Sequence, residues 1–179
     1  VRLEFDLRQQ RLRAGAMNLT PLLLVPLLSL QAAEVLSGEY RAVTIEVGQR
    51  RQFRVPKLET VTGSSGRCVE EGVDLEEPDS IWIEASCAGV RTSLVWKKDG
   101  TRVHVMACAE EVENRNPAML KLRQKVQSEL KQLKSVTACV KNGRVELWGW
   151  AANETEHAQV LALEKKHGMD QVRSFVEQL

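Results

Sequence analysis

VTACVKNGRVELWGW, residues 136–150, decides how the second half of this chain folds. Val136, Ala138 and Val140 alternate with their neighbours, Asn142-Gly143 supplies a pair that tolerates positive φ, and Val145, Leu147 and Gly149 resume the alternation. That pattern is a two-stranded hairpin with one apolar face. Upstream, Asn116-Pro117 fits an N-cap followed by the first helical position. Met119, Leu122, Val126, Leu130 and Leu133 then recur at three- and four-residue steps, which predicts one helix whose apolar stripe runs to Leu133. Downstream, Asn153 with Glu156 forms a capping pair for a second helix that carries Val160, Leu161 and Leu163 and stops at Gly168. Residues 172–176, Val-Arg-Ser-Phe-Val, supply a last strand. The expected order for 117–179 is αββαβ, with both helices on one side of a small sheet.

The segment before it, 34–112, reads as strands. Turn signals at Gly48, 63–66, Pro78-Asp79, Gly89 and Asp99-Gly100 recur at intervals suited to short strands, with no long helical period between them. Val43, Ile45 and Val47 alternate before Gly48, and Phe53 and Val55 before Pro56. In the hairpin made by 92–96 and 102–108, Val103, Val105 and Ala107 form an apolar face, and Arg102, His104 and Met106 a mixed one. Trp82 and Trp96 are expected in this segment's core. The fold class is therefore α+β: a small all-β, sandwich-like domain followed by the αββαβ domain.

Residues 1–33 read as an export signal. Arg11 and Arg13 precede an apolar run over 19–30 that is broken by Pro21 and Pro26 and closes on Ala32 and Ala33, after either of which cleavage is expected. A membrane span needs about 20 apolar residues, more than this run offers. Met17 is an alternative start. No cysteine follows closely, so a lipoprotein anchor is not expected. Without this segment 21 basic and 22 acidic residues remain, and that balance argues against nucleic acid as a partner.

Export sets the reading of Cys68, Cys87, Cys108 and Cys139. They show no C-x-x-C spacing and no histidine set at zinc-site distances, so no metal site is expected, and an even count in an oxidising compartment points to disulfides. Four cysteines allow three pairings. Cys68 with Cys87 is favoured because both fall in the first domain, where a bridge of that span contributes about 3 kcal/mol on chain-entropy grounds. Cys108 then pairs with Cys139 across the domain boundary. On the hairpin, Cys139, Trp148 and Trp150 fall on the sheet face away from the helices, which makes them candidates for an interaction face or for cover by the first domain.

The run 136–150, the helix after it and Gly168-Met-Asp-Gln-Val172 resemble a BON domain, with its N-G turn, V-x-L-x-G strand and G-x-x-x-V close. Thr44-Ile-Glu-Val-Gly48, Arg54-Val55 and Gly89-Val-Arg-Thr-Ser-Leu-Val-Trp-Lys-Lys-Asp-Gly100 are similar to the N-terminal domain of secretins from Tad/Flp-type pilus assembly. Such a secretin continues into a long β-rich pore domain, whereas this sequence stops at Leu179, so pore formation is not expected of it. The resemblance implies a periplasmic, non-enzymatic assembly or docking module. Its partners would be proteins of a pilus or type II-like secretion complex, a secretin among them, or further copies of itself. Other BON proteins associate with phospholipid or cell wall, which leaves a free-standing envelope-binding protein, associated with the outer membrane, as the alternative.

Catalysis finds no foothold in the sequence. His104, His157 and His167 lack a nucleophile at motif spacing, and no cofactor fingerprint occurs. His157 and His167 read as solvated helix residues. The run 63–66 lacks the lysine and following helix of a phosphate loop and reads as a surface turn. Asp74, Glu76, Glu77 and Asp79 lack the spaced ligands of a calcium loop and read as a solvated acidic loop.

Overall fold

Alternation builds the first half of the molecule. The computed structural model describes residues 34–35, 38–63, 67–110 and 116–179; the export segment, the tip of the 63–66 turn and the charged run 111–115 lie outside them. Among these residues eight strands precede the first described helix: β1 (Glu34–Val35), β2 (Tyr40–Glu46), β3 (Arg50–Arg54), β4 (Leu58–Gly63), β5 (Val69–Val73), β6 (Ser80–Ala85), β7 (Gly89–Lys97) and β8 (Arg102–Glu110). They form two four-stranded sheets, ordered β1-β3-β6-β5 and β2-β8-β7-β4. Inward residues of both, among them Ile45, Phe53, Ile81, Ile83, Val95 and Val105, share one core. Burial of side chains this size contributes roughly 1.5–3 kcal/mol each.

The same alternation moves two tryptophans out of that core, contrary to the expectation. Ile81 and Ile83 point inward, so Trp82 between them points outward, where the Arg50 guanidinium lies 4.0 Å from its ring centre. Val95 is fully buried and Trp96 beside it is not; Arg102 stands 5.2 Å from its ring. Between the sheets, Arg91 of β7 meets Glu71 of β5 at 2.6 Å. Burial pushes the Glu71 carboxyl upward, and the Arg91 charge works against that shift.

The second half follows the expected order: α1 (Pro117–Glu129), β9 (Val136–Lys141), β10 (Arg144–Ala151), α2 (Glu154–His167) and β11 (Val172–Gln178). The sheet runs β11-β10-β9, with β9 antiparallel and β11 parallel to β10. Asn116 caps α1 through the Ala118 amide, and Pro117 opens it. Asn153 caps α2 through the Glu156 amide, while Glu156 reaches back to the Ala152 amide at 2.8 Å. Asn142 and Gly143 both adopt positive φ, the requirement of a type I′ turn. Val126 and Leu130 from the first helical segment and Val160 and Leu163 from α2 pack with Val145, Leu147 and Val172 in a second core.

Three details depart from the periodic reading. The helix ends at Glu129, so Leu130 and Leu133 reach the core from its cap and the following turn. Leu161 falls on the outer side of α2 and is 44% exposed. His167 is not solvated: its side chain is buried beside Glu129 of α1, which also pairs with Lys166 at 2.7 Å.

All described residues belong to one compact unit, Ala32–Leu179, holding two cores and an α+β mixture in which strands predominate. The two ends of the hairpin differ in tolerance. Gly149 has φ +139°, and a Cβ there would sit 1.9 Å from the Ser135 carbonyl oxygen, a backbone atom that cannot swing aside. Gly143 (φ +73°) has open space around it. Gly149→Ala should therefore cost at least about 3 kcal/mol in urea unfolding, and Gly143→Ala only about 1–2 kcal/mol. Equal costs would show that the close approach at Ser135 does not constrain the chain.

Candidate docking surface and the seam behind it

Strand β9 is the last strand of its sheet, and an edge strand leaves outward backbone groups without partners. Here each is met. The Val136 amide donates to the Leu133 carbonyl at 3.1 Å. The Ala138 amide donates to Gln127 Oε1 at 2.8 Å, and the Ala138 carbonyl accepts from Thr44 Oγ1 at 3.1 Å. The Val140 amide donates to Glu110 Oε2 at 3.0 Å. Side chains from β2, β8 and α1 thus occupy the middle of this edge, where a further strand would have to bond.

Glu110 is central to this seam. It is only 1% exposed, and while one oxygen takes the Val140 amide, the other accepts from Arg123 Nη2 at 3.0 Å. A buried carboxylate without such partners would be costly. Beside it, Thr44 and Thr137 hydroxyls meet at 2.7 Å, and Cys108 of β8 is bonded to Cys139 of β9. That bridge closes a separation of 31 residues, worth about 3.5 kcal/mol on chain-entropy grounds. The other disulfide joins Cys68 to Cys87, and no described cysteine is free. Two disulfides fit an oxidising, exported setting. Among the described residues no helix is long and apolar enough to cross a membrane.

The structure separates the residues that the sequence placed on one face. Cys139 is fully buried in the seam. Trp150 is 6% exposed, its ring 5.3 Å from Tyr40 and 6.3 Å from His104, which themselves stack at 4.8 Å. Met106, Cys108 and Glu110, on the mixed side of β8, are buried for the same reason. Trp148 lies farther along the sheet and is only partly buried. Its ring stacks on Phe175 of β11 at 4.5 Å, and its indole N–H donates to Glu146 Oε2 at 3.1 Å. Lys141 stands 5.6 Å from the Trp148 ring and Arg173 5.5 Å from the Phe175 ring. Glu146, 2% exposed, also accepts from Arg144 and Asn142 at 3.4 Å.

This leaves a flat aromatic pair, edged by cations and fixed from beneath by a buried carboxylate. Rigid aromatics with little rotamer freedom left to lose make efficient contact anchors. Sequence reasoning missed Phe175, although the parallel register that sets it opposite Trp148 follows from the βαβ connection. It also missed Glu110, whose signal was its place in line with Met106 and Cys108 on β8.

Neither the protein-family models nor the curated proteins give a match to this chain.

The seam assigns different weights to the two tryptophans. Trp150→Ala should cost about 3–5 kcal/mol in chemical unfolding, the range for a fully packed tryptophan. Trp148→Ala should cost less, about 2 kcal/mol, from its stack and its hydrogen bond to Glu146. Reversal of that order would contradict the placement of Trp150 inside the seam.

Proposed function

We propose that this chain is an exported, non-catalytic docking module that works by protein–protein contacts in the periplasm as part of a pilus or type II-like secretion assembly. The observation that carries the reading is the Trp148–Phe175 stack, held rigidly on a sheet face whose other half is sealed by Cys108–Cys139. The wider attribution rests on resemblance. The αββαβ segment with Asn142-Gly143, Val145-x-Leu147-x-Gly149 and the Gly168-to-Val172 close resembles a BON domain, and it follows a sandwich-like β segment similar to the secretin N-terminal domain. Export through residues 1–33 and the paired cysteines agree with a periplasmic site of action.

Deletion of the gene in the cells that make this protein should abolish surface pili or secretion of the system's substrates. The wild-type chain should restore them. A Trp148→Ala, Phe175→Ala double variant should be exported with both disulfides intact and fail to restore them. Normal assembly in the deletion strain would sink the assembly reading; full rescue by the double variant would remove the stack as the docking point. Loss of envelope integrity with pili unaffected would instead favour the phospholipid- or cell-wall-binding alternative.

A further inference from the structure

Two surface features lie apart from the aromatic stack, and their chemistry is complementary. The first is a groove of about 430 Å³ between the start of β2 and the end of α1. Arg41, Arg123, Lys131 and Lys134 line it, Arg123 being the partner of Glu110; no carboxylate of the described residues does, and the edges of the buried Leu130 and Leu133 lie at its floor. Lys131 and Lys134 are exposed and have no ion-pair partner among the described residues.

The second is the acidic loop between β5 and β6. Two of its carboxylates are used internally. Asp74 accepts the Glu76 and Glu77 amides at 2.9 and 3.3 Å and the Gln52 side chain at 2.5 Å, and Asp79 accepts the Leu58 amide at 3.0 Å. The bonds from the Glu76 amide and its neighbours hold the Asp74 carboxyl below its ordinary value, so it stays ionised and keeps the loop in shape. The loop therefore presents Leu75, 96% exposed, flanked by the solvent-facing carboxylates of Glu76 and Glu77. A leucine this bare on a pre-shaped, anionic turn matches a cationic groove with an apolar floor in sign and polarity.

Within one chain the two features do not meet. β2, beside the groove, is one edge of its sheet, while β5, which leads into the loop, is an edge of the opposing sheet and lies against β4 at the far side. We infer that the occupant of the groove is the Leu75-Glu76-Glu77 loop of a second copy of this chain. The contact is head-to-tail, so each copy keeps a free groove at one end and a free loop at the other. Repetition closes a ring if the rotation permits and otherwise extends a filament. The contact uses neither Trp148 nor Phe175, so its failure and that of the docking reading are separately readable.

Sedimentation velocity of the purified chain, disulfides intact, tests this with two surface variants and their mixture. The wild type should show concentration-dependent association that weakens as salt is raised, since exposed charges are screened. L75S/E76K/E77K and K131E/K134E change exposed positions, should keep wild-type circular dichroism and melting, and should each sediment as a monomer. Mixed one to one, they should associate again, because reversed loop meets reversed groove and wild-type loop meets wild-type groove. The inference is overturned if the wild type stays monomeric up to roughly 1 mM at low salt. It is equally overturned if either variant associates like the wild type, or if the mixture stays monomeric.

Discussion

The interaction on which the rest of the molecule depends is the termination of β9 by side chains from outside its own sheet. A three-stranded sheet with a helix pair on one face has two weaknesses, an open edge and an open second face. Thr44 and Glu110 resolve both at once. Each belongs to the eight-stranded half, and each bonds a backbone group of β9 while its own strand lies against the face bearing Cys139 and Trp150. Truncating Glu110 would leave the Val140 amide and the Arg123 guanidinium without this carboxylate, a change of the kind that costs about 3–5 kcal/mol. The disulfide at Cys108–Cys139 acts on the unfolded chain rather than on this geometry. It makes the seam harder to lose, but the hydrogen bonds give it its register.

From that seam follows the division of the outer sheet face. A chain with two separate domains on a linker would expose Trp148 and Trp150 together, and each would have to be ordered on binding. With Trp150 taken inside by Tyr40 and His104, only the Trp148–Phe175 pair stays available, and Glu146 has already fixed the orientation of its indole. The rotamer entropy that binding would otherwise cost is largely spent during folding. The same rigidity sets the spacing between the cationic groove and the acidic loop, a condition for any regular repeat of copies.

Much of this was legible from residue order. Caps at Asn116 and Asn153, the Asn142-Gly143 turn and the stop at Gly168 mark element ends because each has a local physical cause that tertiary packing did not override. The cysteine pairing was favoured but not fixed by residue order, because Cys68, Cys87 and Cys108 all fall in the first segment and three pairings stayed open; the structure joins Cys68 to Cys87 and Cys108 to Cys139. What escaped was whatever depends on the second layer of burial. Alternation on β8 separates its faces but cannot say that both are covered. Trp82 and Trp96 were misplaced by treating size as burial, although their own strands put isoleucine and valine inward beside them. Phe175 became part of the candidate surface only through register with β10, a long-range property.

The central claim is that the seam makes the two cores one rigid body. Residual dipolar couplings of backbone amides measure it directly, because amides that share one orientation in space share one alignment tensor. Couplings from the strands of residues 40–110 and from those of residues 136–178 should fit a single tensor with the disulfides intact. Two tensors of different magnitude or orientation would mean that the halves move independently, and the seam would then be a contact without mechanical consequence.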